Sequence, residues 1–390
     1  MLTRRSFLKS SAAAAAFAAG AGSARADMPG VTDTEIKIGQ TMPYSGPASA
    51  YGVIGRTEGA YFKMINEQGG INGRKINLIS LDDGYSPPKT VEQVRRLVEE
   101  ERVAFLFNTL GTAPNLAIRQ YLNDNKVPQL FVSTGASTFS DPKHFPWTMG
   151  FNPNYQTEAH IYGKYILSAK PDAKICVLYQ NDGFGKDYLI GLKESLGADH
   201  AGMIVNEASY ETSEPTIDSQ IVTLQGSGAD VILIAATPKF GAQAIRKTFD
   251  LGWTAMRVIS NVTSSVNAAL KPAGLEKSKG LITAIYGKDP SDPRWKDDPG
   301  LKEWTAFVAK YLSPNDFVDL NAVYGFGAAA TMVQVLKQCG NDLSRENIMK
   351  QAANLDMGLP MLLPGIKIHT SPTSFYPIQR MRLARFEGKQ

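Results

Sequence analysis

Short apolar, β-branched runs alternate with helically spaced segments along most of the chain, and this alternation limits the fold more than any other feature. The runs are "IKIGQTM" at Ile36, "INLISL" at Ile76, "VAFLF" at Val103 and "QLFVS" at Gln129. A second set follows: "KICVLY" at Lys174, "DVILIAA" at Asp230, "RVIS" at Arg257 and "GLITAIY" at Gly280. Between them lie segments such as "PKTVEQVRRLVEEE" from Pro88 and "GAQAIRKTFDLG" from Gly241. Strands of near-continuous apolar character, separated by helices, predict parallel βαβ units with both sheet faces covered.

The strands fall into two groups. "FPWTMGFNPNYQ" (Phe145 to Gln156) divides them, with two prolines and no helical period. "YGKDPSDPRWKDDPG" (Tyr286 to Gly300) is a second break, and "LDMGLPMLLPGIKIH" precedes a closing "SFYPIQRMRLARF", read as a hairpin. Long structureless loops are uncommon inside compact domains. Three breaks therefore predict three hinge crossings between two doubly wound α/β lobes with mainly parallel sheets. The expected division is 27–150 with 286–362 for the first lobe, and 151–285 with 363–390 for the second.

The first residues predict export. "TRRSFLKSS" (Thr3 to Ser11) precedes a short apolar stretch, Ala12 to Ala19, and then "SARA" (Ser23 to Ala26). A basic start, a short apolar core and small residues before the cut make a secretory leader, removed after Ala26. The arginine pair resembles a twin-arginine signal. The run is too short to span a bilayer, which takes about 20 apolar residues. The expected location is the periplasm.

The leader also carries the charge excess. The chain has 41 basic and 37 acidic residues; Arg4, Arg5, Lys9 and Arg25 lie in the leader with no acid, so 37 face 37 after its removal. That balance gives no electrostatic footprint for nucleic acid. The two cysteines, Cys176 and Cys339, sit in apolar or helical surroundings and read as buried small hydrophobes.

In open α/β sheets ligands collect beyond the carboxyl ends of strands. The first-lobe loops there are "PYSGPASAYG" (Pro43 to Gly52), "NTLGTAPN" (Asn108 to Asn115) and "STGAST" (Ser133 to Thr138). They are rich in Gly, Ser and Thr, which let backbone N–H groups and hydroxyls approach a bound group. Thr112 and Ser137 fall where helices begin, and a helix N-terminus favours an anion. The second-lobe loops bring Phe184, Thr237, Phe240 and Val262, with Tyr155 opening the helix after the first crossing. One polar wall facing one apolar, aromatic wall suits a small organic acid with a hydrophobic body.

Catalytic constellations are missing from the sequence. His144, His160, His200 and His369 have no metal spacing, and neither HExxH nor GxSxG occurs. "GFGAAA" (Gly325 to Ala330) imitates a dinucleotide fingerprint but lies within a helical pattern with no strand before it. The expectation is a binding protein without enzyme activity, cofactor or metal.

"MPYSGPASAYG", "GGINGRKINLISLDDGYSPPKTVEQVRRLV" and "GTAPN…STGAS" together resemble the leucine/isoleucine/valine-binding family of type I periplasmic proteins. The resemblance runs over nearly all of the chain after the leader, and Gly69 to Val98 is its most specific part. It implies two lobes closing on a solute, a monomer, and an ABC permease in the inner membrane as partner. It implies that Thr112, Gly135, Ala136 and Ser137 hold a ligand carboxylate. Tyr51, Tyr155, Phe184, Thr237, Phe240, Asn261 and Val262 are expected around the ligand body. The family's acidic residue for an amino-acid ammonium falls within "SNVT", on Val262 or Asn261, and neither is acidic. The family's first-lobe disulfide is missing too: Tyr85 and Leu110 or Gly111 stand in its place. With Phe184 where the family has a tyrosine and no acid at Val262, the sequence resembles the branch that binds aromatic acids (benzoate, phenylpyruvate or hydroxycinnamate types). A branched-chain or other amino-acid binder, and a ligand-sensing regulator on the same fold, are the alternatives.

Overall fold

The computed structural model describes residues 28–388. The predicted leader, residues 1–26, lies outside them. Five parallel strands form the first sheet: β1 (Glu35–Met42), β2 (Lys75–Asp82), β3 (Leu106–Phe107), β4 (Gln129–Val132) and β5 (Thr148–Gly150). Their order is β2-β1-β3-β4-β5. The second sheet starts with β6 (Ile175–Gln180), β7 (Ile204–Tyr210), β8 (Val231–Ala235), β9 (Met256–Ile259) and β10 (Ile282–Ile285). These five are parallel in the order β7-β6-β8-β9-β10, so both lobes share one winding although no sequence repeat is visible.

The eight strands read from the sequence are all observed, and two more, β5 inside the first break and β7, were not read there. Residues such as Leu106, Phe107, Leu130, Val177 and Leu233 are fully buried, as central strands between helical layers must be. Each such side chain contributes roughly 1.5–3 kcal/mol on leaving water. The helices that bear on the cleft are α1 (Gly52–Glu67), α2 (Pro87–Arg95), α3 (Thr112–Asp124), α4 (Tyr155–Ala169) and α5 (Gly183–Leu196). In the second lobe α6 (Asp218–Gly226) and α7 (Pro238–Asp250) cover the sheet. The chain then returns to the first lobe as α8 (Pro299–Tyr311), α9 (Leu320–Cys339) and α10 (Arg345–Ala352). Trp304, Phe326 and Ile348 from these helices join the core around Phe62, Phe107 and Phe131.

The end of the chain departs from the expected division. Leu363, Ile366, Ile368, Phe375 and Ile378 pack into the first core, not the second. Two short strands there, β11 (Asp356–Met357) and β12 (Ile368–His369), pair with each other. Only β13 (Arg382–Arg385) joins the second sheet, antiparallel to β10. So "SFYPIQRMRLARF" is not a hairpin, and the last crossing lies near residue 380. This segment lacks any helical or alternating period, which is why its core membership escaped the sequence reading. Cys176 and Cys339 are buried and free.

One buried carboxylate fixes a loop beside the cleft. Glu158 on α4 is 1 % exposed. Its Oε1 accepts the Asn261 N–H at 2.7 Å and the Tyr162 hydroxyl at 2.6 Å. Burial pushes its carboxyl from the ordinary 4.5 up to about 7, against the two hydrogen bonds that favour the charged form. A proton held more tightly in the folded state stabilises at low pH. That contribution is complete below the unfolded value and is lost as pH rises through about 7. Glu158→Gln keeps the acceptor and removes the titration. Urea unfolding at pH 5 and pH 8 should show the variant gaining on the wild type by up to about 3 kcal/mol at the higher pH. A difference that does not change with pH would show that Glu158 does not titrate in this range.

Candidate functional site

The loops at the carboxyl ends of both sheets face one another across a cavity of about 120 Å³. On the first-lobe side, α3 begins at Thr112 with Gly111 as its cap, at φ 101°. Glycine offers no side chain to the first-turn amides, and Pro114 has no N–H, so the Thr112 and Ala113 amides are the donors of this terminus. The Thr112 and Thr134 hydroxyls lie 2.7 Å apart, both in the cavity wall. The Ala136 N–H donates to Thr134 Oγ1 at 3.1 Å, which fixes that hydroxyl.

The position of Gly111 also explains Tyr85. A Cβ on Gly111 would lie 2.5 Å from the Tyr85 ring, so the ring is seated flat on the glycine. Tyr85 is held at φ 62°, a conformation that non-glycine residues seldom adopt. Its hydroxyl accepts from Gln180 Nε2 at 3.4 Å in the opposite lobe. An aromatic ring packed on a glycine thus stands where the resemblance places a disulfide.

The second-lobe wall is aromatic and uncharged. Tyr155 meets Phe184 edge-on at 5.1 Å and stacks on Tyr188 at 5.1 Å behind it. Thr237 is held by Tyr210 and Gln180, its N–H donating to the Tyr210 oxygen at 3.1 Å. Asn261 donates to the Ala284 carbonyl at 2.6 Å, and the Val262 carbonyl accepts the Tyr51 hydroxyl from the first lobe at 3.2 Å. No Asp, Glu, Lys, Arg or His belongs to the wall among the described residues. Two acids lie behind it, Glu158 buried and Asp182 half-buried. Glu158 is bound to the back of Asn261, and Asp182 is tied to the Phe184 and Gly185 amides and to Gln180.

Tyr51, Thr112, Tyr155, Phe184, Thr237, Asn261 and Val262 all stand in the wall, brought together from both lobes. Four expected residues do not. Phe240 is fully buried and packs on Tyr210 at 4.4 Å, in the core beneath the loop. Gly135 makes room for Tyr155: a Cβ there would be 2.1 Å from the Pro153 oxygen and 2.8 Å from the Tyr155 ring. Ala136 spends its amide on Thr134. Ser137 directs both its N–H (2.7 Å) and its hydroxyl (3.0 Å) to the Asp187 carboxylate, so an internal anion already occupies the donors assigned to the ligand.

The sequence reading missed Tyr85, Thr134, Tyr286 and Tyr324, which complete the wall. Tyr85 and Tyr286 follow strands β2 and β10 directly, so the same strand-end rule, applied to those two loops, finds them. Tyr324 sits inside α9 and carries no such signal. On the hinge side Ile285, Leu359, Met361 and Ile378 make the floor apolar.

Comparison with known proteins gives this geometry a family. The sequence profile of the periplasmic binding protein family matches residues 35–390. A Leu/Ile/Val-binding protein homolog of Brucella abortus is 26 % identical, over 88 % of this chain and 86 % of that protein. A branched-chain amino acid ABC transporter protein of Thermus thermophilus, solved with valine, superposes with a TM-score of 0.82 at 16 % identity, over 92 % of this chain and 94 % of its own. A solute-binding protein of R. palustris in complex with 4-hydroxybenzoate gives 0.77 at 16 % identity, over 91 % and 94 %. With the match spanning both lobes and the cleft between them, the chain belongs to the periplasmic binding protein family and is similar to Leu/Ile/Val-binding proteins within it.

Proposed function

We infer that the chain is the solute-binding component of an ABC importer whose cleft captures an aromatic carboxylate of benzoate, phenylpyruvate or hydroxycinnamate type. Lobe closure presents the loaded form to an inner-membrane permease. In this reading the leader is cut after Ala26 and the mature monomer works in the periplasm, with no cofactor. The fold does not choose the solute, since it carries valine in one neighbour and 4-hydroxybenzoate in another. The wall does. A carboxylate is assigned to the Thr112 and Thr134 hydroxyls and the first amides of α3. The body is assigned to Tyr51, Tyr155, Phe184, Thr237, Asn261 and Val262.

The observation that carries this reading is the uncharged wall. An amino acid would bury its ammonium without a partner, at a cost of about 3–5 kcal/mol, or roughly 100-fold and more in affinity. The names of the Brucella relatives favour a branched-chain amino acid instead.

Calorimetry at neutral pH separates the two. Benzoate, phenylpyruvate or 4-hydroxycinnamate should bind at least tenfold more tightly than leucine; the reverse order rejects the aromatic-acid reading. Thr112→Ala should weaken binding of the acid by about 10–100-fold through loss of one charge-assisted hydrogen bond, while Thr112→Ser retains it. Unchanged affinity in Thr112→Ala would remove the anion role from that corner.

A further inference from the structure

The Asp187 carboxylate joins the lobes through three accepted hydrogen bonds, and it caps nothing within its own helix. Asp187 lies in the interior of α5 and is 7 % exposed. Its Oδ2 accepts the Ser137 N–H at 2.7 Å, and Oδ1 accepts the Ser137 hydroxyl at 3.0 Å and Gln156 Nε2 at 2.8 Å. All three donors are uncharged. Two of them belong to the first lobe, on the 3-10 turn Ser137–Phe139 that follows β4. Withdrawing the lobes would strip a nearly buried carboxylate of two of its three protein donors. The neighbouring contact is equally close. A Cβ on Gly183, the first residue of α5, would come 3.1 Å from Thr112 Cγ2, so glycine lets the two helix starts meet across the cleft. On the other flank Ser265 donates to Asp319 at 3.0 Å, but that carboxylate also caps α9 through the Asn321 amide. Asp187 has only the clasp.

We propose that Asp187 is a positioning residue that clasps the second lobe to Ser137 and so sets how long the cleft stays shut around its solute. It contacts no bound molecule; it acts through lobe geometry. The assignment rests on the reading of the cleft as the solute site, but not on which acid enters it.

The test places spin labels at Gln120→Cys and Lys164→Cys, exposed positions on α3 and α4, in the full mature chain, where both native cysteines are buried. Interlobe distances are measured with no added solute and with saturating benzoate, beside stopped-flow release of benzoate. Gly183→Val supplies an obstructed reference. Asp187→Asn should lengthen the distances toward that reference in at least one condition and speed release by about tenfold or more. Gln156→Ala, which removes a donor shared between Asp187 Oδ1 at 2.8 Å and Ser137 Oγ at 3.3 Å, should lengthen the distances less than Asp187→Asn does. Asp187→Ala serves as a second variant, and an unchanged circular dichroism spectrum confirms folding of each. Distances in both Asp187 variants that coincide with wild type in both conditions overturn the clasp. If wild type takes up none of benzoate, phenylpyruvate and 4-hydroxycinnamate, the aromatic-acid reading fails, and the distances without solute still decide the clasp.

Discussion

A carboxylate can leave water without a cation only where several N–H and O–H groups converge on it. The cleft and its surroundings are organised by that requirement. Glu158 and Asp187 are buried and Asp182 is half-buried near the cleft, and N–H or O–H groups hold each of them. No lysine or arginine is enlisted for the purpose in these three. The same kind of donor, at and beside the start of α3, stands in the cavity wall as the Thr112 and Thr134 hydroxyls. The protein therefore uses one chemistry twice: to anchor its own loops, and, in the function inferred here, to receive a solute's negative end.

The doubly wound sheets make this arrangement possible. Both faces of each sheet are covered by helices, so polar backbone is reachable only at strand ends. Because the two lobes share one winding, they present the same kind of edge to each other. Both lobes contribute aromatic rings, Tyr51, Tyr85 and Tyr324 from the first and Tyr155 and Phe184 from the second. The glycine-led helix start at Thr112 belongs to the first alone.

Much of this was legible in the residues. Continuous apolar strands announced themselves, and seven of the expected contacts stand in the cavity wall. The failures have physical causes. Phe240 follows strand β8 as closely as Thr237 does, and only packing on Tyr210 shows that it points into the core. Ser137 has the right chemistry for an anion, but its partner comes from Asp187, fifty residues on. Tyr324 reaches the cavity from the middle of a helix, where no strand-end signal exists. Leu363 to Ile378 joined the first core through irregular backbone that leaves no period to read.

The seat of Tyr85 on Gly111 has a consequence for how the pocket can change over time. The ring rests on a position that admits no Cβ, and its own backbone is held at a left-handed angle. Two unrelated stretches of the gene must therefore alter together before this side of the pocket can be reshaped. The opposite wall carries no such lock at Asn261 and Val262. Diversification toward new solutes should accordingly proceed through the second lobe first, with the first lobe kept as an inherited constant.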